Sequence, residues 1–213
     1  SALAGRALAC AADLAIASTI IPLDGLFDAV LTGTTQDLAV GIAQLDAVFA
    51  GAGTISAATK RDETGTRLDG LRIETNAAAL TANANITSTQ SSGTFALSVA
   101  DVAVIEPTLS GPIAVSGDAT RAPDGTVRAD IKGTDRASQL ALNALVAPLP
   151  AGQVITYQAE IDTTDAAHYA RLLGRDLAGA VDLALNGTVK NNGADIVATV
   201  AATTSDLRVG VPQ

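Results

Sequence analysis

The stretch Leu80-Thr81-Ala82-Asn83-Ala84-Asn85-Ile86-Thr87 alternates apolar and polar residues without a break, and so does Ile155-Thr156-Tyr157-Gln158-Ala159-Glu160-Ile161-Asp162. A period of two sends successive side chains to opposite faces of a strand, so each stretch reads as a β-strand with one greasy and one wet face. Weaker alternation marks Leu26–Thr32, Gly53–Ala57, Leu71–Thr75, Phe95–Val99, Gly111–Gly117, Thr126–Ile131, Gln139–Val146, Ala180–Leu185 and Ile196–Ala202. Between these lie turn residues: Glu63-Thr64-Gly65, Ser91-Ser92-Gly93, Pro123-Asp124-Gly125 and Asn191-Asn192-Gly193. The pattern predicts an antiparallel meander.

Three stretches change to helical spacing. Leu38, Ile42, Leu45 and Phe49 follow Thr34 and Thr35, which have the chemistry of helix caps. Asp101 precedes Val102 and Ile105, and Pro107 stops that turn. Thr164 or Asp165 opens a third helix with Tyr169, Leu173 and Leu177 along one side and Gly179 at its end. Each predicted helix leads through a glycine into a strand. These glycines, Gly51, Gly111 and Gly179, are 60 and 68 residues apart. The unit is thus a strand, a short helix and three more strands, repeated along residues 1–213 as one array with approximate units 23–92, 93–150 and 151–213. Repeats of this kind stack, because no single unit can bury its own apolar face.

Composition narrows the possible functions. Of 213 residues, 48% are hydrophobic but only 2% aromatic, and about a fifth are alanine. That apolar content is too high for a disordered chain. The net charge of −9 and the scarcity of aromatic rings exclude nucleic acid as a partner. A single cysteine, Cys10, excludes a disulfide framework and a thiolate zinc site. Ala7-Leu8-Ala9-Cys10 lacks the large aliphatic of a lipoprotein processing site and a preceding charged-then-apolar leader, so Cys10 reads as a small buried residue. Ala7–Ile21 is interrupted by Asp13 and is too short to span a bilayer. With no methionine, even at position 1, the chain reads as processed or as an excerpt.

Catalytic chemistry finds few candidates. His168 is the one histidine, beside Tyr169 in an apolar helical stretch, and reads as a surface or packing residue. No serine sits in Gly-x-Ser-x-Gly. Glu160, Asp162 and Asp165 lack a glycine-bearing calcium loop and read as solvated charges at strand ends. The expectation is a protein that is not an enzyme, with no catalytic residue, metal or cofactor.

The apolar face must be covered or used. One possibility is a closed sandwich, with side chains meeting across about 10 Å. The other is a sheet curled into a trough whose apolar inside stays partly open, for which the matching ligand is a hydrocarbon chain. An eight-residue strand covers about 26 Å, enough to lie along an acyl chain. On the trough reading the lining residues are Leu80, Ala82, Ala84, Ile86, Ile113, Val115, Ile155, Tyr157, Ala159, Ile161, Ile196, Ala198 and Val200, chosen by apolarity alone.

The segment Tyr169-Ala170-Arg171-Leu172-Leu173-Gly174-Arg175-Asp176-Leu177-Ala178-Gly179-Ala180-Val181-Asp182-Leu183, running on to Asn186-Gly187, resembles the recurring helix, L-x-G-x-x-x-x-G-x-V-x-L unit of bacterial TamB proteins. Asp37-Leu38-Ala39-Val40 leading to Gly51 and Gly53, and Asp101-Val102 leading to Leu109-Ser110-Gly111-Pro112, are similar, so the resemblance runs from about Leu23 to Val211. It implies an all-β fold: an elongated, curved antiparallel sheet of repeated units, the β-taco, with short helices at the repeat junctions. It also implies membership of the AsmA-like superfamily and a periplasmic location, attached to the inner membrane through a segment not in this chain. Phospholipid acyl chains would be the cargo, moved between inner and outer membranes. Outer-membrane protein assembly would proceed with the barrel partner TamA through regions outside this fragment. The competing expectation is a structural or adhesive β-repeat of a secreted or surface protein, without lipid transport. The recurrent leucine-bearing helices weigh against that alternative, since a pure β-helix has no regular place for them.

Overall fold

A computed structural model describes residues 2–3, 6–7, 9–21, 24–39, 41–149, 152–190 and 194–210. The Asn191-Asn192-Gly193 turn and the side chains of Cys10 and Leu45 lie outside the described residues. The protein is all-β, and its chain divides into two compact units, Ser1–Pro107 and Thr108–Gln213.

In the first unit, β1 (Ala2–Leu3) and β2 (Arg6–Ala7) form a small hairpin. Six longer strands follow: β3 (Ala9–Ile21), β4 (Leu26–Ala39), β5 (Ala52–Asp62), β6 (Gly65–Thr75), β7 (Ala78–Ile86) and β8 (Ser91–Val99). Each pairs antiparallel with the next. The helix α1 (Ala43–Val48) joins β4 to β5, and a 3-10 turn, Val102–Val104, follows β8. The second unit repeats the plan with β9 (Ile113–Arg121), β10 (Val127–Thr134), β11 (Ser138–Leu149), β12 (Gly152–Thr163), β13 (Leu177–Lys190) and β14 (Asp195–Val209). A 3-10 turn, Ala166–Tyr169, runs directly into α2 (Ala170–Leu173) between β12 and β13. Within each unit the helical connections lie at one end of the strands, an end they share with the short β6–β7 and β10–β11 connections.

The sequence places most of these elements, and the exceptions have physical causes. Asp101 and Asp165 cap as expected, each carboxylate accepting from the N–H two residues on, Ala103 and Ala167. Thr34 and Thr35 do not cap a helix, and Leu38 is not helical. All three belong to β4: Thr34 and Thr35 pair with β3 on one side and β5 on the other, and Leu38 lies just beyond the last β5 pair, Gln36–Ala52, where the β3 register is irregular. The third helix ends at Gly174 rather than Gly179: Gly174 adopts the left-handed conformation (φ 61°) and its N–H reaches back to the helix carbonyls. Leu177 therefore starts β13. Ser91-Ser92-Gly93 is strand, because Thr87 makes the turn one step earlier: its N–H donates to Gln90 O at 2.8 Å and its hydroxyl accepts from Gln90 N–H at 3.0 Å. Within Ala7–Ile21, read only as too short for a membrane span, Ala9–Ile21 forms the edge strand β3.

Gly51, Gly111 and Gly179, the three glycines of the repeat, all have positive φ (85°, 101° and 99°). Gly51 and Gly111 turn the chain from a helical connection into the next strand, whereas Gly179 lies within β13 opposite the β14 bulge; a Cβ disfavours all three conformations.

Little of the molecule is interior. Among the described residues the buried apolar side chains are Val48, Phe49, Ile73, Ala78, Val99, Val102, Ala137 and Ala166, and they gather at the helical ends of the sheets. The chain exposes 13339 Å², whereas a compact protein of its mass would expose about 9,000 Å².

Candidate functional site: an uncovered apolar face

In the second unit the cross-strand register stacks apolar residues in rows. Val127, Val146, Ile155, Val189 and Ile196 form one row, and Ile131, Leu142, Ala159, Leu185 and Val200 another. Between them lie Ala129, Ala144, Tyr157, Gly187 and Ala198. A further row holds Val115, Gly133, Leu140, Ile161, Leu183 and Ala202. All belong to one face, and so does Ile113 by alternation along β9. Ile113, Val115, Ile155, Tyr157, Ala159, Ile161, Ile196, Ala198 and Val200, selected from sequence as one set, thus share a face. Gly187 has a specific job in it. A Cβ there would lie 2.5 Å from the Tyr157 hydroxyl, so the bare glycine leaves the tyrosine ring room to lie across the neighbouring strand.

The first unit builds its face the same way. Leu80 aligns with Ile73 and Leu97, Ala82 with Leu71 and Phe95, Ala84 with Leu68 and Gly93, and Ile86 with Thr66 and Ser91. Rows extend outward through Ile55, Gly33 and Leu14, and through Leu31 and Ile16. Leu68 and Leu71 are three apart, which in a regular strand would put them on opposite faces. A bulge at Asp69-Gly70, with Gly70 left-handed (φ 60°), re-phases β6 and brings both to the apolar side. The Gly70 N–H freed by the bulge donates to Asn83 Oδ1 at 2.8 Å. Sequence reading left Leu68 out because the bulge interrupts strict alternation; the Asp-Gly pair was the available signal.

Within each unit, among the described residues, no second layer covers these faces. Most of their residues are half-buried by their neighbours within the sheet, while Ile86 is 53% exposed, Ile196 63% and Val200 61%. Among the described residues, cover from the same unit is found at the helical ends. In the first unit Thr35, Ile73, Ala78 and Val99 are buried on the apolar side, with Val48 and Phe49 of the α1 connection buried too. The Thr75 hydroxyl donates to Val48 O at 3.3 Å.

In the second unit the cover is polar. The Tyr169 hydroxyl lies 2.5 Å from Asp135 Oδ2 and 2.6 Å from Ser138 Oγ. Its single proton goes to the carboxylate, which leaves the Ser138 hydroxyl to donate to it. Ser138 Oγ is in turn 2.9 Å from Thr163 Oγ1, so three hydroxyls run in line to one carboxylate. Asp135 Oδ1 accepts from the N–H groups of Ala137 (2.8 Å) and Ser138 (2.6 Å). Partial burial by itself pushes the Asp135 carboxyl up, but the Tyr169 hydroxyl and these two N–H groups hold it below its ordinary value of 3.8. Burial and the adjoining carboxylate raise Tyr169 above 10.0.

His168 packs edge-on to the Tyr169 ring, centroids 5.0 Å apart, with its Nε2 buried and unpartnered. Ser138 and Asp135 meet on Tyr169 and not on the imidazole. Glu160 and Asp162 sit on the polar face of β12, and Asp165 is spent on its cap. Among the described residues no three His, Cys, Asp or Glu side chains converge on a metal position.

The opposite face carries the charge. In the second unit a groove of about 700 Å³ crosses it, with Lys132, Gln139, Glu160, Asp162, Asp182 and Thr203 among its walls. A twisted sheet is hollow along one diagonal of each face, which accounts for a groove on the side away from the apolar rows. The fold and this face define a class: a single-layer antiparallel repeat sheet, wet on one side and greasy on the other. Compared with protein-family models, curated proteins and solved structures, the chain matches none.

Proposed function

We propose that this chain is a segment of a TamB-like, periplasm-spanning envelope protein. Its apolar sheet faces carry phospholipid acyl chains between the inner and outer membranes, and the whole protein supports outer-membrane protein assembly. The attachment to the inner membrane and the contact with a TamA-like barrel belong to parts of the protein outside this sequence. The observation that carries the reading is the apolar face: the thirteen side chains chosen from sequence lie on the apolar sides of their sheets, and beyond the helical ends no described residue of the same unit forms a layer over them.

The chemistry of the face suits a sliding hydrocarbon. Burial is worth about 0.8 kcal/mol per CH₂, so half-burying a sixteen-carbon chain yields about 6 kcal/mol. No hydrogen bond is needed to reach that figure. Ala82, Ala84, Ala129, Ala144, Ala159, Ala198 and Ala202 keep the surface low, giving a chain area to rest on without pockets that grip it. Strands as long as β13 extend about 46 Å, longer than an acyl chain.

Native mass spectrometry of the purified chain should detect co-purified phospholipid, and Ile86→Asp should abolish both that signal and transfer between vesicles in a reconstituted assay. A carboxylate there would be driven among acyl chains without a partner. Because Ile86 is already 53% exposed, the variant should keep its melting temperature within the range of ordinary surface changes. A folded Ile86→Asp protein that carries lipid at the normal rate overturns the proposal.

A further inference from the structure

The connection between β12 and β13, at the helical end of the second unit's apolar face, is held by few buried side chains. It is tied at both ends by backbone: Thr164 N–H to Ala137 O at 2.8 Å before it, and Gly210 N–H to Asp176 O at 2.7 Å after it. Between those ties only Ala166 is buried. Arg171, Leu172, Leu173, Gly174, Arg175 and Asp176 are exposed, and Gly174, left-handed at φ 61°, has open space around it. The side-chain hold on the sheet is the Tyr169 hydroxyl, which reaches Asp135 and Ser138, more than thirty residues back in the chain. Ser138 and Thr163 pair directly, in register with Val181 of the apolar face. The connection therefore lies over the helical end of that face. Segments with few buried contacts and one specific tether open well below the global unfolding free energy.

We propose that residues 165–175 are a latch over one end of the second unit's apolar face, kept shut by the Tyr169 hydroxyl and hinged at its two backbone ties. Open, it uncovers Val181 and the row beyond it to a hydrocarbon chain entering from that end; shut, it stops the chain there. Its gating role rests on the acyl-chain reading above, whereas its motion does not.

The test uses the 213-residue chain with Tyr169→Phe, which keeps the ring and removes the tether, and Ser138→Ala as a milder second variant. Amide exchange in 165–175 should quicken by about fivefold or more in Tyr169→Phe and by less in Ser138→Ala, with β10 and β11 unchanged. Pyrene-labelled hexadecanoic acid should then associate faster with Tyr169→Phe than with the parent, at similar final occupancy. Unchanged exchange in a chain that binds the fatty acid overturns the latch alone. Faster exchange with an unchanged association rate overturns the gating. No binding to either protein overturns the acyl-chain reading, and gating with it.

Discussion

The helical ends of the two units solve one problem with different chemistry. In the first, the last rows of the apolar face are closed by side chains that water never reaches: Val48 is 0% and Phe49 3% exposed, beside buried Ile73, Ala78 and Val99. In the second, the same position is closed by hydroxyls strung from Thr163 through Ser138 and Tyr169 to Asp135. An apolar plug is held by area and has no preferred way out. A hydroxyl chain is held by one directional contact at a time, and the loss of any link loosens the rest. The repeat thus has one fixed end and one releasable end, although both are built on the same strand plan.

The largest expected effect falls on the plug. Phe49→Ala should destabilise the first unit by about 3–5 kcal/mol, read as a shift in its urea midpoint and as faster amide exchange in β6–β8. An effect no larger than that of Tyr169→Phe, about 1 kcal/mol, would erase the contrast between the two ends.

The glycines of the repeat sharpen the comparison at an intermediate scale. A Cβ on Gly179 would lie 2.6 Å from the Asp206 backbone, which cannot move aside, whereas a Cβ on Gly51 meets nothing within 4 Å. Both have positive φ. Gly179→Ala should therefore cost about 3 kcal/mol and Gly51→Ala about 1 kcal/mol, the second from backbone conformation alone. Equal thermal shifts for the two would mean that the crowding at Asp206 relaxes freely.

The smallest effect is that of acid, and it should separate the ends without any mutation. The Asp135 carboxyl sits below 3.8 in the folded protein, so the bond it accepts is fully present above that pH and is lost as the pH falls through its lowered value. His168, which faces it, also favours the carboxylate. Amide exchange in 165–175 should quicken on acidification, once corrected for intrinsic rates, while α1, whose buried neighbours carry no charge, stays unchanged. Parallel behaviour of the two connections would show that Asp135 does not hold the second.

Much of the fold was legible because a strand declares itself locally. Leu80 to Ile86 and Ile155 to Asp162 name their faces by alternation, and Asp101 and Asp165 name helix starts by their side-chain chemistry. The residues chosen for their apolarity fall on common faces for the same reason. Legibility failed where a distant partner overruled a local preference. Leu38 follows a helical spacing, yet it ends a strand whose Thr34 and Thr35 are paired with β3 and β5 on either side. Gly179 has the chemistry of a helix end, yet Gly174 ends the helix first and Gly179 serves instead where β13 meets the bulge of β14 at Asp206.

From its residues alone, the chain was bound to form two-faced strands joined by short helices, since side-chain parity and capping depend only on neighbours along the sequence. The folded arrangement decided which rows align, where Asp69-Gly70 shifts the phase so that Leu68 and Leu71 share a side, and how Tyr169 meets Asp135 34 residues away. Those outcomes depend on cross-strand register and on hydrogen bonds between groups far apart in sequence, which exist only once the strands lie side by side.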